Sequence, residues 1–280
     1  MANRTYYEAL KWASLFVQKN RLDESAATYL LQELSHLDQT HLLIKYRQPI
    51  PTALDQQYVD AIQQYVAGVP PQYIIGTAPF YGERFVVNPN VLIPRQETEE
   101  LVEWVLSEHA NAQLSVLDVG TGSGAIGLTL KKQRAEWQIT LTDLSQAALA
   151  VAKENADRLN VDVTLVQGNL LMPVAGSRFD VIVSNPPYIS HAEEDEMDAD
   201  VLASEPSMAL FADHQGLAIY EQLADQLKQG VVTANEVFLE IGFHQGSAVK
   251  QIFNAAFPKA QVIVRQDMSG HDRMVQVKLG

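Results

Sequence analysis

The sequence predicts an α/β fold, an open sheet wound with helices, preceded by a small all-helical region. Three observations carry that expectation. From Gln96 onward, short apolar runs alternate with stretches of helical period, the pattern of a mostly parallel sheet. Val116-Leu117-Asp118-Val119 enters a turn with glycines at 120, 122 and 124, and an amphipathic stretch carrying Ile126, Leu128 and Leu130 leaves it. Residues 1–75 show helical spacing and no strand-like run.

In chain order, the first helix is expected from Tyr6 to Lys19. The second starts near Asp23 and sets Leu30, Leu34 and Leu37 on one face. A short segment from His41 to Tyr46 follows, then a helix from Ala53 to Val66 carrying Tyr58, Ile62 and Tyr65. Gly68-Val69-Pro70-Pro71 ends it. Residues 76–95 alternate apolar and polar, with turn signals at Gly82 and Asn88-Pro89-Asn90, and read as a β-hairpin linker. A helix opens the domain expected over residues 96–280. Its strands are Ser115–Val119, Gln138–Thr142, Val163–Gln167, Phe179–Ser184, Val237–Ile241, Val262–Gln266 and Met274–Leu279. Ser145 is placed to cap a helix from Gln146 to Leu159.

Two motifs carry chemistry. Asn185-Pro186-Pro187-Tyr188 follows the apolar run that ends at Ser184. Two prolines force the chain out of the strand and remove two N–H donors, leaving carbonyls free to accept. The Asn185 oxygen and the Pro186 carbonyl can accept both hydrogens of a planar NH2 group, with the Tyr188 ring on its face. The second motif is the Gly-rich turn. Glycines let the backbone pass close to a ligand, and the helix start beyond offers free N–H groups. Asp143 ends the next strand about twenty residues later, the spacing that sets a carboxylate on ribose hydroxyls. Turn and acid together point to a nucleoside-containing cofactor and do not separate a dinucleotide from S-adenosylmethionine. Asp118 favours the latter: a carboxylate just before the glycines faces the methionine amino group, whereas it repels a pyrophosphate. In an open α/β sheet, ligands sit outside the carboxyl ends of the strands, so both motifs are expected to share one crevice.

The combination of Asp-x-Gly-x-Gly-x-Gly and Asn-Pro-Pro-Tyr resembles the amino-group methyltransferases. More narrowly, the chain resembles the bacterial peptide chain release factor glutamine methyltransferases. The resemblance runs through Pro71-Gln72-Tyr73-Ile74-Ile75-Gly76, Phe80-Tyr81-Gly82-x-x-Phe85-x-Val87 and Val91-Leu92-Ile93-Pro94-Arg95-Gln96-Glu97-Thr98-Glu99. It continues in Glu205-Pro206, Leu239-Glu240-Ile241-Gly242 and Asp267-x-x-Gly270-x-Asp272-Arg273. The Ile-Pro-Arg-x-Glu-Thr-Glu segment separates this family from the ribosomal-protein glutamine methyltransferases, which share Asn-Pro-Pro-Tyr.

The resemblance implies a class I S-adenosylmethionine-dependent methyltransferase domain, a Rossmann-like seven-stranded sheet, behind an N-terminal helical domain that helps hold a protein substrate. It implies that Asp118, Gly120, Thr121, Gly122, Ser123 and Gly124 line the cofactor's methionine end and Asp143 its ribose. Asn169 and Leu170 border the adenine, with Asn169 standing where the family usually has Asp. Asn185 touches cofactor and substrate, and Pro186, Pro187 and Tyr188 complete a glutamine pocket. The catalytic set is then Asn185, Pro186 and Tyr188, and no metal is expected. The implied partners are class 1 release factors, methylated on the glutamine of a Gly-Gly-Gln motif.

Composition is consistent with that. The chain has 280 residues, no cysteine and a net charge of −14. No disulfide framework or thiol chemistry is available, and a cytoplasmic location is expected. The N-terminus lacks an apolar signal segment, and no apolar run reaches the roughly eighteen residues of a membrane span. The acidic balance argues against a DNA substrate and suits a basic protein partner, the fair expectation for a factor that works against ribosomal RNA. Glu193-Glu194-Asp195-Glu196-Met197-Asp198-Ala199-Asp200 is the densest acidic run, a candidate partner-facing loop or a merely solvated one. A monomer is expected. Seven scattered histidines, without His-x-x-x-His spacing, leave no metal motif. The rival readings are an adenine amino-group methyltransferase, which grips a flipped base in the same corner, a ribosomal-protein glutamine methyltransferase, a nicotinamide-dependent oxidoreductase and a non-catalytic adaptor.

Overall fold

The computed structural model describes residues 4–110, 113–196, 202 and 204–280. They form two compact units. The first holds residues 4–77 with 202 and 204, and the second holds 78–196 and 205–280.

The first unit is helical: α1 (Tyr6–Lys19), α2 (Ser25–Ser35), α3 (Gln39–Lys45), α4 (Thr52–Val66) and α5 (Pro71–Ile75). A capping box starts α1, the Glu8 N–H donating to Thr5 Oγ1 and the Thr5 N–H to Glu8 Oε2. Tyr6, Ala9, Ala13 and Val17 form the buried stripe of α1, and Ala26, Ala27, Leu30 and Leu31 that of α2. The alanines keep side-chain bulk low where helices pack. Tyr58 and Tyr65 of α4 bury their rings and donate their hydroxyls to the carbonyls of Ala27 and Asp23. Leu37 lies beyond α2, past His36, whose left-handed backbone (φ 54°) ends the helix. Helix α5 stands where Pro70-Pro71 reads as a stop. Pro71 sits at a first helical position, where its missing N–H costs nothing.

The second unit begins with a hairpin of β1 (Thr77–Phe80) and β2 (Glu83–Val86), turning at Tyr81-Gly82. The expected hairpin over 76–95 is thus confined to its first half. Residues 87–95 carry no strand, and Asn88 holds a turn of its own by accepting from the Asn90 N–H.

A seven-stranded sheet follows, in the order β5-β4-β3-β6-β7-β9-β8. Its strands are β3 (Ser115–Val119), β4 (Gln138–Asp143), β5 (Thr164–Gln167), β6 (Arg178–Ser184), β7 (Thr233–Glu240), β8 (Gln261–Gln266) and β9 (Asp272–Lys278). The first five are parallel, and β9 runs antiparallel between β7 and β8. All seven expected strands are present, with β7 four residues longer at its polar start. Helices α6 (Gln96–Glu108), α7 (Ala125–Gln133) and α8 (Gln146–Leu159) cover one face, and α9 (Ala218–Lys228) and α10 (Gly246–Ala256) the other.

Strand periodicity splits the core between these faces. Val116, Val181, Val183 and Phe238 pack with Leu101, Trp104 and Leu128 on one side, while Leu117, Ile182 and Leu239 pack with Tyr220, Leu223 and Phe253 on the other. The chain runs outward from β3 to β5, then returns to β6 on β3's other side. The topological switch therefore lies between β3 and β6, and the crevice outside their carboxyl ends is where such a sheet binds ligands. No helix among the described residues is long and apolar enough to cross a membrane.

Candidate active site

A cleft opens at that switch. It is lined by Gly120, Thr121, Gly122 and Ser123 from the β3–α7 turn, by Asp143, Leu144 and Ser145 after β4, and by Gly168, Asn169 and Leu170 after β5. Asn185, Pro186 and Pro187 after β6 line it too, with Leu92, Pro94, Arg95 and Thr98 from the segment entering α6. Most of the residues assigned from sequence therefore meet in one crevice. Asp118, Gly124 and Tyr188 are not among the lining residues.

The Gly-rich turn needs its glycines. Gly120 and Gly122 have φ of 70° and 56°, and the space a Cβ would enter is empty at both, so the backbone is bare toward the cleft. The turn is held from two sides. Asp143 accepts from the Gly122 N–H at 2.9 Å through one oxygen and from the Ser145 N–H at 2.8 Å through the other. Each oxygen keeps a lone pair for a ligand hydroxyl. Burial pushes its pKa up despite these bonds.

Asp118 works from beneath. It is fully buried, and its Oδ2 accepts from Thr121 Oγ1 at 2.6 Å and from the Gly127 N–H at 3.0 Å. It thus ties the strand to the turn and to the first turn of α7. Its pKa is pushed up to about 6, burial outweighing the two hydrogen bonds. Its Oδ1 is buried with no hydrogen-bond partner. The sequence reading turns this carboxylate toward the cofactor's amino group; in the fold it lies behind the turn, outside the lining of the cleft.

The corner after β6 is held by a series of hydrogen bonds. Ser184 donates to the Val119 carbonyl at 2.7 Å and locks β6 to β3 beside the glycines. The Asn185 Nδ2 donates to Thr98 Oγ1 at 3.2 Å, and Thr98 donates to Glu240 Oε2 at 2.7 Å. Glu240 is 1 % exposed at the end of β7, and burial pushes its pKa up to about 7. The Tyr188 carbonyl accepts from Gln245 Nε2 at 2.8 Å, and the ring packs in the apolar layer with Leu239 and Ile241. Its hydroxyl stands 3.5 Å from Glu240 Oε1. Tyr188 therefore braces the corner from behind, where sequence reasoning set it on the face of the substrate.

Two further features were not foreseen. Arg95 pairs with buried Glu205 at 2.6 Å, joining the segment before α6 to the one that carries Pro206 on the cleft rim. Leu170 holds a left-handed backbone (φ 50°) where it borders the cleft. Of the acidic run, Glu193 and Glu194 are exposed on a short 3-10 turn, and the rest of the run's side chains lie outside the described residues. Among the described residues no group of three His, Cys, Asp or Glu side chains is placed to hold a metal ion.

Comparison with known proteins agrees with this layout. Residues 8–76 match the family described as PrmC N-terminal domain, and residues 97–213 match Methyltransferase small domain. The release factor glutamine methyltransferase of Enterococcus faecalis is 41% identical over 274 residues, which span 98% of this chain and 99% of that protein. Its counterpart in Streptococcus pneumoniae is 42% identical over 259 residues, 92% of each chain. Among solved structures, a methyltransferase from Pyrococcus furiosus aligns with a TM-score of 0.53 at 17% identity, covering 71% of this chain and 90% of its own. The human methyltransferase 10 domain containing protein aligns at 0.51 and 12%, with the same coverage. These two share the fold. With near-complete alignment to the bacterial enzymes on one side and the glycine turn, Asp143 and Asn185 gathered at one switch point on the other, the chain belongs to the release factor glutamine methyltransferase family.

Proposed function

We propose that this chain methylates the side-chain amide nitrogen of the glutamine in the Gly-Gly-Gln motif of class 1 release factors, with S-adenosylmethionine as donor. The observation that carries the reading is the convergence of the bare glycine turn, the Asp143 carboxylate and the Asn185 corner in one crevice. The donor fits this crevice: Gly120 to Gly124 would lie along its methionine end, Asp143 would accept from its ribose hydroxyls, and Asn169 and Leu170 would border its adenine. Asn169 replaces a more usual Asp and keeps a carbonyl oxygen for the adenine amino group. The bound donor supplies an electrophilic methyl group.

The chain's own task is to prepare a poor nucleophile. A carboxamide nitrogen shares its lone pair with its carbonyl. The Asn185 oxygen and the Pro186 carbonyl accept its two hydrogens, which orients the nitrogen and stabilises the positive charge it develops. Pro187 shapes the pocket, and Tyr188 fixes the corner from behind. The proton then leaves to water. The helical residues 4–77 would supply the wider surface that picks one glutamine among many, since specificity is a difference of affinities over a whole interface. The acidic balance and absence of cysteine support action in the cytosol, on a basic protein and not on DNA.

The test combines the protein, S-adenosylmethionine and unmodified release factor, followed by peptide mass spectrometry. The expected product carries a single methyl on the Gly-Gly-Gln glutamine. Transfer to ribosomal protein or nucleic acid in place of the factor would overturn the substrate.

A further inference from the structure

Two stretches of the family pattern, Glu97-Thr98-Glu99 and Leu239-Glu240-Ile241, have no part in the chemistry above, yet they meet behind Asn185. The geometry points to Thr98 and Glu240 as positioning residues that fix which end of the Asn185 amide faces the substrate. The inference rests on Asn185 being the residue that grips the substrate amide.

Donors and acceptors decide the orientation of the amide. An Asn amide can present either an oxygen or an NH2 group, and the two ends have nearly the same shape. Only the oxygen can accept from a substrate NH2. Thr98 Oγ1 carries one hydrogen, and that hydrogen is committed to Glu240 Oε2 at 2.7 Å. With Glu240 ionised, its lone pairs are the only thing it can offer Asn185, so it accepts, from Nδ2 at 3.2 Å. With Nδ2 engaged, the oxygen is the end left for the cleft. A flipped Asn185 would set its oxygen against a hydroxyl oxygen whose one hydrogen is already given to Glu240. Glu240 anchors the series because it has no mobility to spare. It is buried at the end of β7, its carbonyl accepts from the buried Tyr220 hydroxyl at 2.8 Å, and its other carboxylate oxygen faces the Tyr188 hydroxyl. Thr98 is equally fixed, 4 % exposed in the first turn of α6.

The experiment measures kcat and KM for release factor, cofactor affinity and thermal midpoint in five proteins: wild type, Thr98→Val, Thr98→Ser, Glu240→Leu and the Thr98→Val/Glu240→Leu double variant, with Asn185→Ala as reference. Valine keeps the shape of threonine and removes the hydroxyl. The expected result is a kcat about tenfold or more lower in Thr98→Val with cofactor affinity unchanged, and recovery in Thr98→Ser. The double variant should lose no more than the worse single one, since residues acting through one another are non-additive. Should Thr98→Val fail to fold, Glu240→Leu carries the same kcat test. If Asn185→Ala is inactive while Thr98→Val keeps kcat within twofold of wild type, the positioning role is overturned. So too if Thr98→Ser fails to recover, or if the two losses add. If Asn185→Ala itself stays active, the assignment of Asn185 fails instead.

Discussion

Asn185 is asked to do something its neighbours make possible: offer one oxygen, in one direction, to an amide that reacts poorly on its own. Removing it with Asn185→Ala deletes a preorganised acceptor at the reacting nitrogen, so kcat should fall at least about 100-fold, within the roughly 10²–10³ cost of such a deletion. Single-turnover transfer to release factor measures it, and near-normal turnover would remove Asn185 from the mechanism. Asp118 supplies a different test, because it titrates out of place. Burial lifts its pKa from 3.8 to about 6. Between those two values the folded protein holds a proton that the unfolded chain has released. The contribution to stability is thus complete below pH 3.8 and is lost as pH rises through about 6. At about 1.4 kcal/mol per pKa unit, the loss is on the order of 3 kcal/mol. Asp118→Asn has no such titration. Its unfolding free energy relative to wild type should improve by that order between about pH 4 and pH 7, read by urea denaturation at each pH. A difference that stays flat across the range would mean that Asp118 ionises normally in the fold.

The same carboxylate shows how closely α7 is docked on the sheet. A Cβ added at Gly127 would lie 2.2 Å from Leu141 Cδ2 and 3.0 Å from Asp118 Oδ2, and Leu141 is wholly buried in β4. Gly127→Ala gains up to about 1 kcal/mol of helix propensity and loses about 1–3 kcal/mol to overpacking. A net destabilisation of about 1–2 kcal/mol is expected by urea unfolding, with weaker cofactor binding because the glycine turn shifts with α7. A stabilised variant would show that the helix has room to retreat. Packing of this kind explains what could be read from the chain beforehand. Strands β3 and β6 announce themselves because both faces are buried and each holds an apolar run, Val116-Leu117 in one and Val181-Ile182-Val183 in the other. The first half of β7, Thr233-Ala234-Asn235-Glu236, is polar and half-exposed, so pattern alone ends the strand early. Helix α5 was hidden by a proline pair that reads equally as a stop and as a start. The glycine turn, Asp143 and Asn185 were legible because each sits at a strand end, where local sequence fixes its place. Thr98 and Glu240 were visible only as pieces of a pattern, since 142 residues separate them and their contact exists only once α6 lies on β7. Asp118 was found as a site residue but not as the support beneath the turn, a distinction that depends on which way a buried side chain points.

Charge is distributed unevenly along the chain, and that asymmetry bears on how a partner arrives. Residues 1–77 carry seven acidic and six basic side chains, while residues 78–280 carry 27 acidic and 14 basic ones. Nearly all of the net charge of −14 therefore belongs to the residues that also build the cleft. A field of one sign around a cleft raises the encounter rate with an oppositely charged partner, and it does so over distances that salt controls. Raising ionic strength from about 0.01 M to about 0.15 M cuts the screening length from about 30 Å to about 8 Å. For a basic release factor, kcat/KM should then fall by about tenfold or more, the lower end of measured steering effects. The value of kcat should stay constant, because the chemistry takes place after docking. A short Gly-Gly-Gln peptide of no net charge provides the internal control: its kcat/KM should not respond to salt, since it has no field to follow. Glu193→Gln/Glu194→Gln, which neutralises two exposed acids on the turn beyond the Asn185 corner, should lower kcat/KM for the intact factor at low salt and leave the peptide unaffected. Steady-state methyl transfer at a series of salt concentrations reads all three. If the intact factor showed a salt-independent kcat/KM, encounter would be governed by shape and apolar contact, and the acidic surface would serve only to keep the protein dissolved.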